Sequence, residues 1–233
     1  MGNSSQLAPF HGDSNLICAM DVVASHANLF LETGTHFGMS FCYWAGRHPG
    51  MRCLSCEIKP EYHGVAVAKV VSQGLVNAEV YLEKSEEFLP RILAGVEADV
   101  VPMCWLDAHW FKEWPLRFEV LYLLGQFTSV YLFIDDFKVP GRPDLHYDRY
   151  PKRGGPGAQE CSLEYITPSI PADVPVDIWM PADPVSEKNK GKGVGWCLLA
   201  RGVDGDTARR MSKLPLAHQP LVRLEGREEL TVI

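Results

Sequence analysis

The stretch NLFLETGTHFGMS, residues 28–40, decides the fold class. Asn28–Glu32 is a short apolar run typical of a buried strand, and Thr33–Ser40 is a turn that contains two glycines. The residues that follow, Phe41–Arg47, begin a helix that Pro49 and the next glycine end. A strand that passes through a glycine-bearing turn into a helix is the first unit of an alternating α/β chain.

The same alternation continues to about residue 140. Further strands are predicted at residues 52–58, 79–82, 100–106 and 129–134, and helices at 61–73, at 85–93 and from near Pro115. Helical segments of about a dozen residues between strands imply right-handed crossovers and therefore a mostly parallel sheet. Because the strands are continuous apolar runs, both of their faces should be buried. We therefore expect an α/β fold, a Rossmann-like three-layer sandwich.

The composition of the chain changes after residue 140. Residues 141–195 are rich in proline and glycine, which predicts long loops with one helix near Gln159–Tyr165. Residues 195–200 and 221–224 read as two more strands, which we expect to form an antiparallel C-terminal hairpin at the edge of the sheet. The chain, residues 1–233, is predicted to be a single domain.

Composition and charge exclude some classes of partner. The chain has 22 Lys and Arg against 29 Asp and Glu, a formal charge of −7, which argues against nucleic acid and anionic membranes. The N-terminus lacks the pattern of a signal peptide, and no apolar stretch approaches the ~18 residues of a membrane helix. The seven cysteines form no regular framework, and the Cys53/Cys56 pair has no second pair at zinc-ribbon spacing. We expect reduced cysteines and a cytoplasmic protein.

Polar and acidic residues recur where the predicted strands end. In an open α/β sheet, ligands bind outside the carboxyl ends of the strands. One such residue is common, but four strands that end in this way at one edge predict a binding site. The residues concerned are Glu32, Glu57, Asp107, Asp135 and Asp136.

The first turn does not match a dinucleotide site. Gly34 and Gly38 give the spacing G-x-x-x-G, so the pyrophosphate fingerprint G-x-G-x-x-G is absent. Glu32 would repel a phosphate but attract a cofactor with a cationic amino-acid end. Glu57, about twenty residues beyond the first glycine, is placed to accept hydrogen bonds from ribose hydroxyls. Ser85 could reach an adenine-like edge or cap a helix, and the two roles are compatible.

Three aspartates predict a metal site. Asp107, Asp135 and Asp136 follow two strands that should be neighbours, and three unpaired carboxylates at close range would repel one another. Mg²⁺ removes that penalty and keeps positions open for substrate oxygens. The alternative is that Asp136 caps a loop while Asp107 pairs with Arg117 or Lys112.

These motifs resemble a known family. The runs LETGTHFGMS, CEIKPEY and EKSEEFL are similar to the cofactor half of class I S-adenosylmethionine-dependent methyltransferases. WLDAHW and FIDDFKVPGRPD resemble the metal-binding segments of catechol O-methyltransferase-like enzymes and of macrolide sugar O-methyltransferase and cephalosporin hydroxylase-type proteins. The resemblance covers about residues 28–148. It implies a cofactor half at about 15–140, a loop-rich acceptor region at about 141–195 and C-terminal strands at 195–233.

The resemblance also implies roles for individual residues. Glu32 and the glycine turn would hold the methionine end of the cofactor, Glu57 the ribose, and Ser85 the adenine. The full implied cofactor set is Glu32, Gly34, Thr35, Gly38, Ser40, Glu57, Ser85 and Asp107. The implied metal ligands are Asp107, Asp135 and Asp136; catechol enzymes have Asn as the third ligand, whereas the sugar-type relatives have acidic pairs.

The general base is left open by a departure from the catechol pattern. That pattern runs Asp-His-Trp-Lys, whereas here Ala108 follows Asp107 and displaces the lysine. His109 is the first choice because the pKa of histidine lies near neutrality, and Lys112 is the second. A structural role for His109 is an equal alternative.

The sequence thus predicts an S-adenosylmethionine-dependent and Mg²⁺-dependent O-methyltransferase. Its acceptor would be a hydroxyl of a small molecule, such as a catechol, a sugar or a natural product, and a homo-oligomer is an open option. A metal-dependent hydrolase or hydroxylase is an alternative, but it is disfavoured because the sequence has no recognisable 2-His-1-carboxylate set. A non-catalytic binding module has no reason to keep the acidic residues, and the missing third glycine disfavours a nicotinamide dehydrogenase.

Overall fold

A computed structural model describes residues 8–97, 99–108, 114–150, 158–182 and 193–221. The helices are α1 (Ser14–Ala24), α2 (Met39–Arg47), α3 (Pro60–Ser72), α4 (Ser85–Leu93), α5 (Leu116–Gln126), α6 (Leu163–Ile166) and α7 (Gly205–Met211). The strands of the main sheet are β1 (Leu29–Thr33), β2 (Arg52–Glu57), β3 (Ala78–Leu82), β4 (Pro102–Leu106), β5 (Val130–Ile134), β9 (Val176–Pro181), β11 (Cys197–Arg201) and β12 (Leu216–Leu221). Short strands form two small ladders: β6 (Leu145–His146), β7 (Arg149–Tyr150), β8 (Gln159–Glu160) and β10 (Gly193–Val194).

The main sheet has eight strands in the order β12-β9-β11-β5-β4-β1-β2-β3. The five strands from β5 to β3 pair in parallel, and β11, β9 and β12 continue the sheet in antiparallel pairing. β1 lies between β2 and β4, so the direction of winding reverses between β1 and β4. This point is where doubly wound sheets bind their ligands.

Two apolar cores lie on opposite faces of this sheet. α4 and α5 pack on one face through residues such as Phe88 and Leu123, and α1 and α2 pack on the other through Met20 and Trp44. Strands β1, β4 and β5 are buried at every position because both faces are covered. The predicted three-layer α/β sandwich is confirmed, whereas the single-domain organisation stays a prediction.

The antiparallel edge is confirmed, but the predicted hairpin between its two strands is wrong. β11 and β12 do not pair with each other, because β9 lies between them and pairs with both. β9 falls in the stretch predicted to be loops; Pro175 precedes it and Pro181 is its last residue. The strand predicted at 195–200 corresponds to β11. The strand predicted at 221–224 overlaps β12 only at Leu221, and its other residues lie outside the described residues.

One helix was not predicted, and one predicted helix cap is wrong. Residues 14–24 form α1, which the sequence did not predict; the Asp13 carboxylate caps it by accepting hydrogen bonds from the amides of Asn15 and Leu16, at 2.8 and 3.1 Å. Ser85 is the first residue of α4 rather than its N-cap, a position that Lys84 holds without a side-chain bond.

All seven cysteines are free. Cys53 and Cys56 point to opposite faces of β2, since one belongs to each core, so this pair does not converge on a metal. Within the described ranges, no helix has the length and apolar character needed to cross a membrane.

Candidate functional site

The glycine turn and the end of β4 meet at the point where the sheet reverses. Gly34 follows β1 with φ +83°, and its amide donates to the carbonyl of Cys56 at 2.9 Å. A Cβ atom at Gly34 would lie 2.6 Å from the carbonyl oxygen of Asp107. Only glycine fits this backbone conformation and this close approach. The turn and the first predicted metal ligand therefore share one wall of the site.

Glu32 is a buried carboxyl beneath that turn. It is 2% exposed, and the hydroxyl of Ser55 donates to its Oε2 at 2.7 Å. Burial raises the pKa of Glu32 to about 8, Ser55 opposes this rise, and the charges of Glu57 and Asp135 add to it. At neutral pH the carboxyl is thus mostly protonated, and a cation bound beside it would favour its ionised form. This matches the chemistry predicted for the cationic end of a cofactor.

Glu57 ties the turn to the end of β2. Its two carboxylate oxygens accept hydrogen bonds from the amides of His36, at 2.7 Å, and Lys59, at 2.9 Å. These bonds fix the orientation of the carboxylate. Each oxygen keeps a further lone pair, so the group can still accept hydrogen bonds from the hydroxyls of a ribose.

A second set of polar groups lies between α4, α5 and β1. Ser85 and Glu119 are 4% and 1% exposed. Burial raises the pKa of Glu119 to about 7, and the hydroxyl of Ser85 opposes this rise. Thr33 Oγ1 and Glu119 Oε1 have no hydrogen-bond partner among the described residues. Buried polar atoms without partners cost free energy, so this pocket suits a ligand with donors and acceptors on its edge.

The three predicted metal ligands converge. One carboxylate oxygen from each of Asp107, Asp135 and Asp136 lies within 4.8 Å of the other two. Loss of water contact, and then the charges of Asp135 and Asp136, raise the pKa of Asp107 well above its ordinary value. An all-oxygen set of this kind fits Mg²⁺, Ca²⁺ or Mn²⁺, which removes the repulsion.

The N-terminal segment reaches this cluster, which the sequence did not predict. His11 Nε2 lies 2.8 Å from Asp135 Oδ2, although the two residues are 124 positions apart. The negative charge of Asp135 raises the pKa of His11 to about 9, so the imidazole is a cation at neutral pH. Phe10 anchors the segment by packing edge-on against Trp44 and Trp105. No residue pattern signals this contact, because it depends on the tertiary fold alone.

Backbone strain is concentrated around the same edge. The described non-glycine residues with positive φ are Phe10, His11, His36 and Asp136. His36 lies in the glycine turn, His11 contacts Asp135, and Asp136 is itself a predicted ligand. Such conformations cost roughly 1–3 kcal/mol each and cluster at functional sites, where the surrounding structure holds them.

The remaining predicted residues are placed as follows. Thr35 Oγ1 lies 2.5 Å from Ser55 Oγ. Gly38, with φ +67°, is the N-cap of α2 and packs against Ala66. Ser40 Oγ accepts a hydrogen bond from the amide of Phe10 at 3.0 Å. His109 and Lys112, the predicted bases, lie outside the described residues.

The alternative partner for Asp107 is engaged elsewhere. The guanidinium of Arg117 donates to the carbonyl of Tyr165 at 2.8 Å and lies over the Tyr165 ring, 4.3 Å from its centre. Lys112, the other proposed partner, lies outside the described residues.

Comparison with solved structures shows which fold this is. An O-methyltransferase from Bacillus cereus in complex with SAH gives a TM-score of 0.56 at 16% identity, and 84% of each chain is covered. TomG from Streptomyces achromogenes, an O-methyltransferase involved in tomaymycin synthesis and solved with SAM, gives 0.52 at 16% identity over 80% of this chain and 78% of that one. An rRNA methylase from Streptococcus thermophilus gives 0.51 at 12% identity over 83% and 99%. The chain therefore has the fold of the class I S-adenosylmethionine-dependent methyltransferases. No protein-family model and no curated protein matches the sequence.

Proposed function

We propose that this chain is an S-adenosylmethionine-dependent O-methyltransferase that uses a divalent cation, with Mg²⁺ the first candidate. One observation carries the proposal: the glycine turn after β1 lies against Asp107, the first member of the acidic cluster. A Cβ at Gly34 would lie 2.6 Å from the Asp107 carbonyl oxygen. A cofactor on the turn and a hydroxyl at the cluster would thus be neighbours, and proximity of this kind accounts for much of the rate of a group transfer.

The residues around the glycine turn fit the cofactor from one end to the other. Glu32 supplies a buried carboxyl for the ammonium group, and Glu57 supplies an oriented carboxylate for the ribose. Ser85, together with the unpartnered atoms Thr33 Oγ1 and Glu119 Oε1, supplies polar atoms for an adenine edge. S-adenosylmethionine, when bound, supplies an electrophilic methyl group on a sulfonium.

The acidic cluster fits a hard cation. Asp107, Asp135 and Asp136 bring three carboxylate oxygens within 4.8 Å, and oxygen donors are what Mg²⁺ prefers. A cation there would act as a Lewis acid that lowers the pKa of a hydroxyl. The three aspartates would hold the cation beside the glycine turn, and His11 fixes the carboxylate of Asp135.

Deprotonation of the acceptor hydroxyl needs a separate base. His109 and Lys112 remain our candidates on the basis of the sequence. His11 is the nearest described histidine, but its pKa of about 9 leaves it protonated at neutral pH. It therefore balances the charge of the cluster rather than accepting a proton.

A small molecule is the proposed acceptor, on account of the charge. A formal charge of −7, with several acidic groups in the site itself, disfavours a polyanionic RNA. Asp148, between β6 and β7, donates its amide to the carbonyl of Asp136, so the short strands β6, β7 and β8 would shape the acceptor pocket. We further propose a cytoplasmic location, because all seven thiols are free.

The test is transfer of an isotope-labelled methyl group by the full chain. Catechols, glycosides and polyketide hydroxyls would be supplied in turn, with Mg²⁺ or with EDTA. We expect label in an ether product that requires Mg²⁺ and that Asp135→Asn abolishes, whereas the surface variant Asp177→Asn keeps full activity. Transfer that is unchanged by EDTA would exclude the role of the metal. Binding of S-adenosylmethionine without transfer to any hydroxyl would exclude O-methylation of these classes.

A further inference from the structure

A second group of potential metal ligands lies beside the first. One ligand atom from each of Asp136, His146 and Asp148 lies within 4.8 Å of the other two. Asp136 belongs to both groups, His146 ends β6, and Asp148 stands immediately before β7. The second group therefore extends the acidic cluster towards the loops that follow β5.

The backbone holds these three residues in place. The amide of Asp148 donates to the carbonyl of Asp136 at 2.8 Å, and the amide of Gly195 donates to the carbonyl of His146 at 2.8 Å. Gly195 in turn accepts a hydrogen bond from the amide of Phe137 at 2.7 Å. A Cβ at Gly195 would lie 2.0 Å from the Phe137 carbonyl oxygen, so the contact that supports His146 requires glycine.

The buried side chain of Asp148 indicates that a ligand binds here. The residue is 5% exposed, and its Oδ2 has no hydrogen-bond partner among the described residues. Its Oδ1 lies 3.9 Å from His146 Nε2, which is too far for a hydrogen bond. A buried carboxylate oxygen without a partner is costly, and a cation shared with Asp136 and His146 removes that cost.

The donor set selects a different kind of ion from the first cluster. Imidazole nitrogen with carboxylate oxygens suits Mn²⁺, Fe²⁺, Co²⁺ or Zn²⁺, whereas Mg²⁺ prefers oxygen alone. The His146 side chain is 68% exposed, so an ion can reach the site from solvent. We propose that Asp136, His146 and Asp148 form a second divalent-cation site, specific for transition metals, that shares Asp136 with the first.

The experiment is a titration of the metal-free full chain with Mn²⁺, in which free Mn²⁺ is counted by electron paramagnetic resonance. We expect two bound Mn²⁺ per chain, and excess Mg²⁺ should displace only the one bound by oxygen. The Mn²⁺ that remains should show hyperfine coupling to a histidine nitrogen by pulsed measurement. This coupling and one Mn²⁺ equivalent should be lost in His146→Gln, an exposed position where folding is not at risk.

Matched variants separate the two sites. His218 on β12 and Asp177 on β9 form a similar exposed pair, in which His218 Nε2 lies 2.9 Å from Asp177 Oδ1. His218→Gln therefore removes an exposed histidine beside a carboxylate without touching the site. This control should keep both ions and the nitrogen coupling. Asp148→Asn should lose the nitrogen-coupled ion, and Asp135→Asn only the oxygen-bound one. A single Mn²⁺ that His146→Gln does not affect, or bound Mn²⁺ without nitrogen coupling, would overturn the proposal and leave the first site standing.

Discussion

Lowering the pH from 7.5 to 5.5 should weaken the binding of S-adenosylmethionine about a hundredfold, because its ammonium end requires the ionised form of Glu32. Burial raises the pKa of the Glu32 carboxyl to about 8. Below that pH, each further unit weakens the binding free energy by about 1.4 kcal/mol, because the proton must be removed before the cation can pair with the carboxylate. The α-amino group of the cofactor, with a pKa of about 8, stays mostly protonated over this range.

The assay is isothermal titration calorimetry of the metal-free chain in buffers that differ in ionisation enthalpy. At pH 7 binding should release close to one proton, and the affinity should rise tenfold per pH unit from 5.5 to 7.5. Methylthioadenosine, which lacks the ammonium group, is the control ligand, and its affinity should not show this tenfold rise per pH unit. Glu32→Gln should abolish both the proton release and the slope for S-adenosylmethionine.

A second carboxyl in the pocket supplies the matched control. The pKa of Glu119 is raised to about 7, so this residue also titrates in the range that is measured. Glu119→Gln should keep the slope, because its carboxyl faces the proposed adenine end rather than the ammonium. The assignment of Glu32 is refuted if Glu32→Gln keeps the slope, or if methylthioadenosine loses affinity to the same extent.

Three further variants test the rest of the site. Gly34→Ala should abolish cofactor binding and destabilise the fold by several kcal/mol, because its Cβ would lie 2.6 Å from a backbone oxygen. Gly74→Ala is the control: its φ is +64° but the space around it is open, so thermal unfolding should show a loss of stability of only about 1 kcal/mol. Ser55→Ala removes the hydrogen bond that lowers the pKa of Glu32, so the pH midpoint of cofactor binding should move upward; an unchanged midpoint would argue against that bond. In EDTA, the ion pair between His11 and Asp135 should stabilise the fold fully below pH 6.5. As the pH rises through about 9, the free energy of unfolding should fall by about 3 kcal/mol, because the imidazole loses its charge. Denaturant unfolding at several pH values should detect this fall in the unmodified chain and not in His11→Gln.

The parallel half of the sheet and the acidic cluster were predictable from sequence. Strands such as β1 and β5 are continuous apolar runs that end in polar residues, and a parallel sheet gathers those ends at one edge. Two strands that are neighbours in the sheet, β4 and β5, then bring Asp107 next to Asp135 and Asp136. Local pattern and one topological rule are sufficient for this part of the site.

Other parts of the fold depend on contacts that leave no local pattern. β9 follows Pro175 and contains Pro181, and prolines of this kind indicate loops. Pro181 is tolerated because it is the last residue of the strand. His11 reaches Asp135 across 124 positions, through a backbone conformation that is rare outside glycine. Aromatic packing of Phe10 against Trp44 and Trp105 holds that segment, and such packing appears only in the tertiary structure.

The central claim is that the edge between β1 and β4 binds S-adenosylmethionine. Its most direct test is equilibrium binding of the cofactor to the purified full chain at pH 8, with Glu57→Ala as the variant that loses the ribose contact and Glu79→Ala, on the exposed side of β3, as the control. We predict one cofactor bound per chain, strongly weakened by Glu57→Ala and unaffected by Glu79→Ala. Absence of binding at millimolar cofactor, or binding that Glu57→Ala leaves unchanged, would contradict the account.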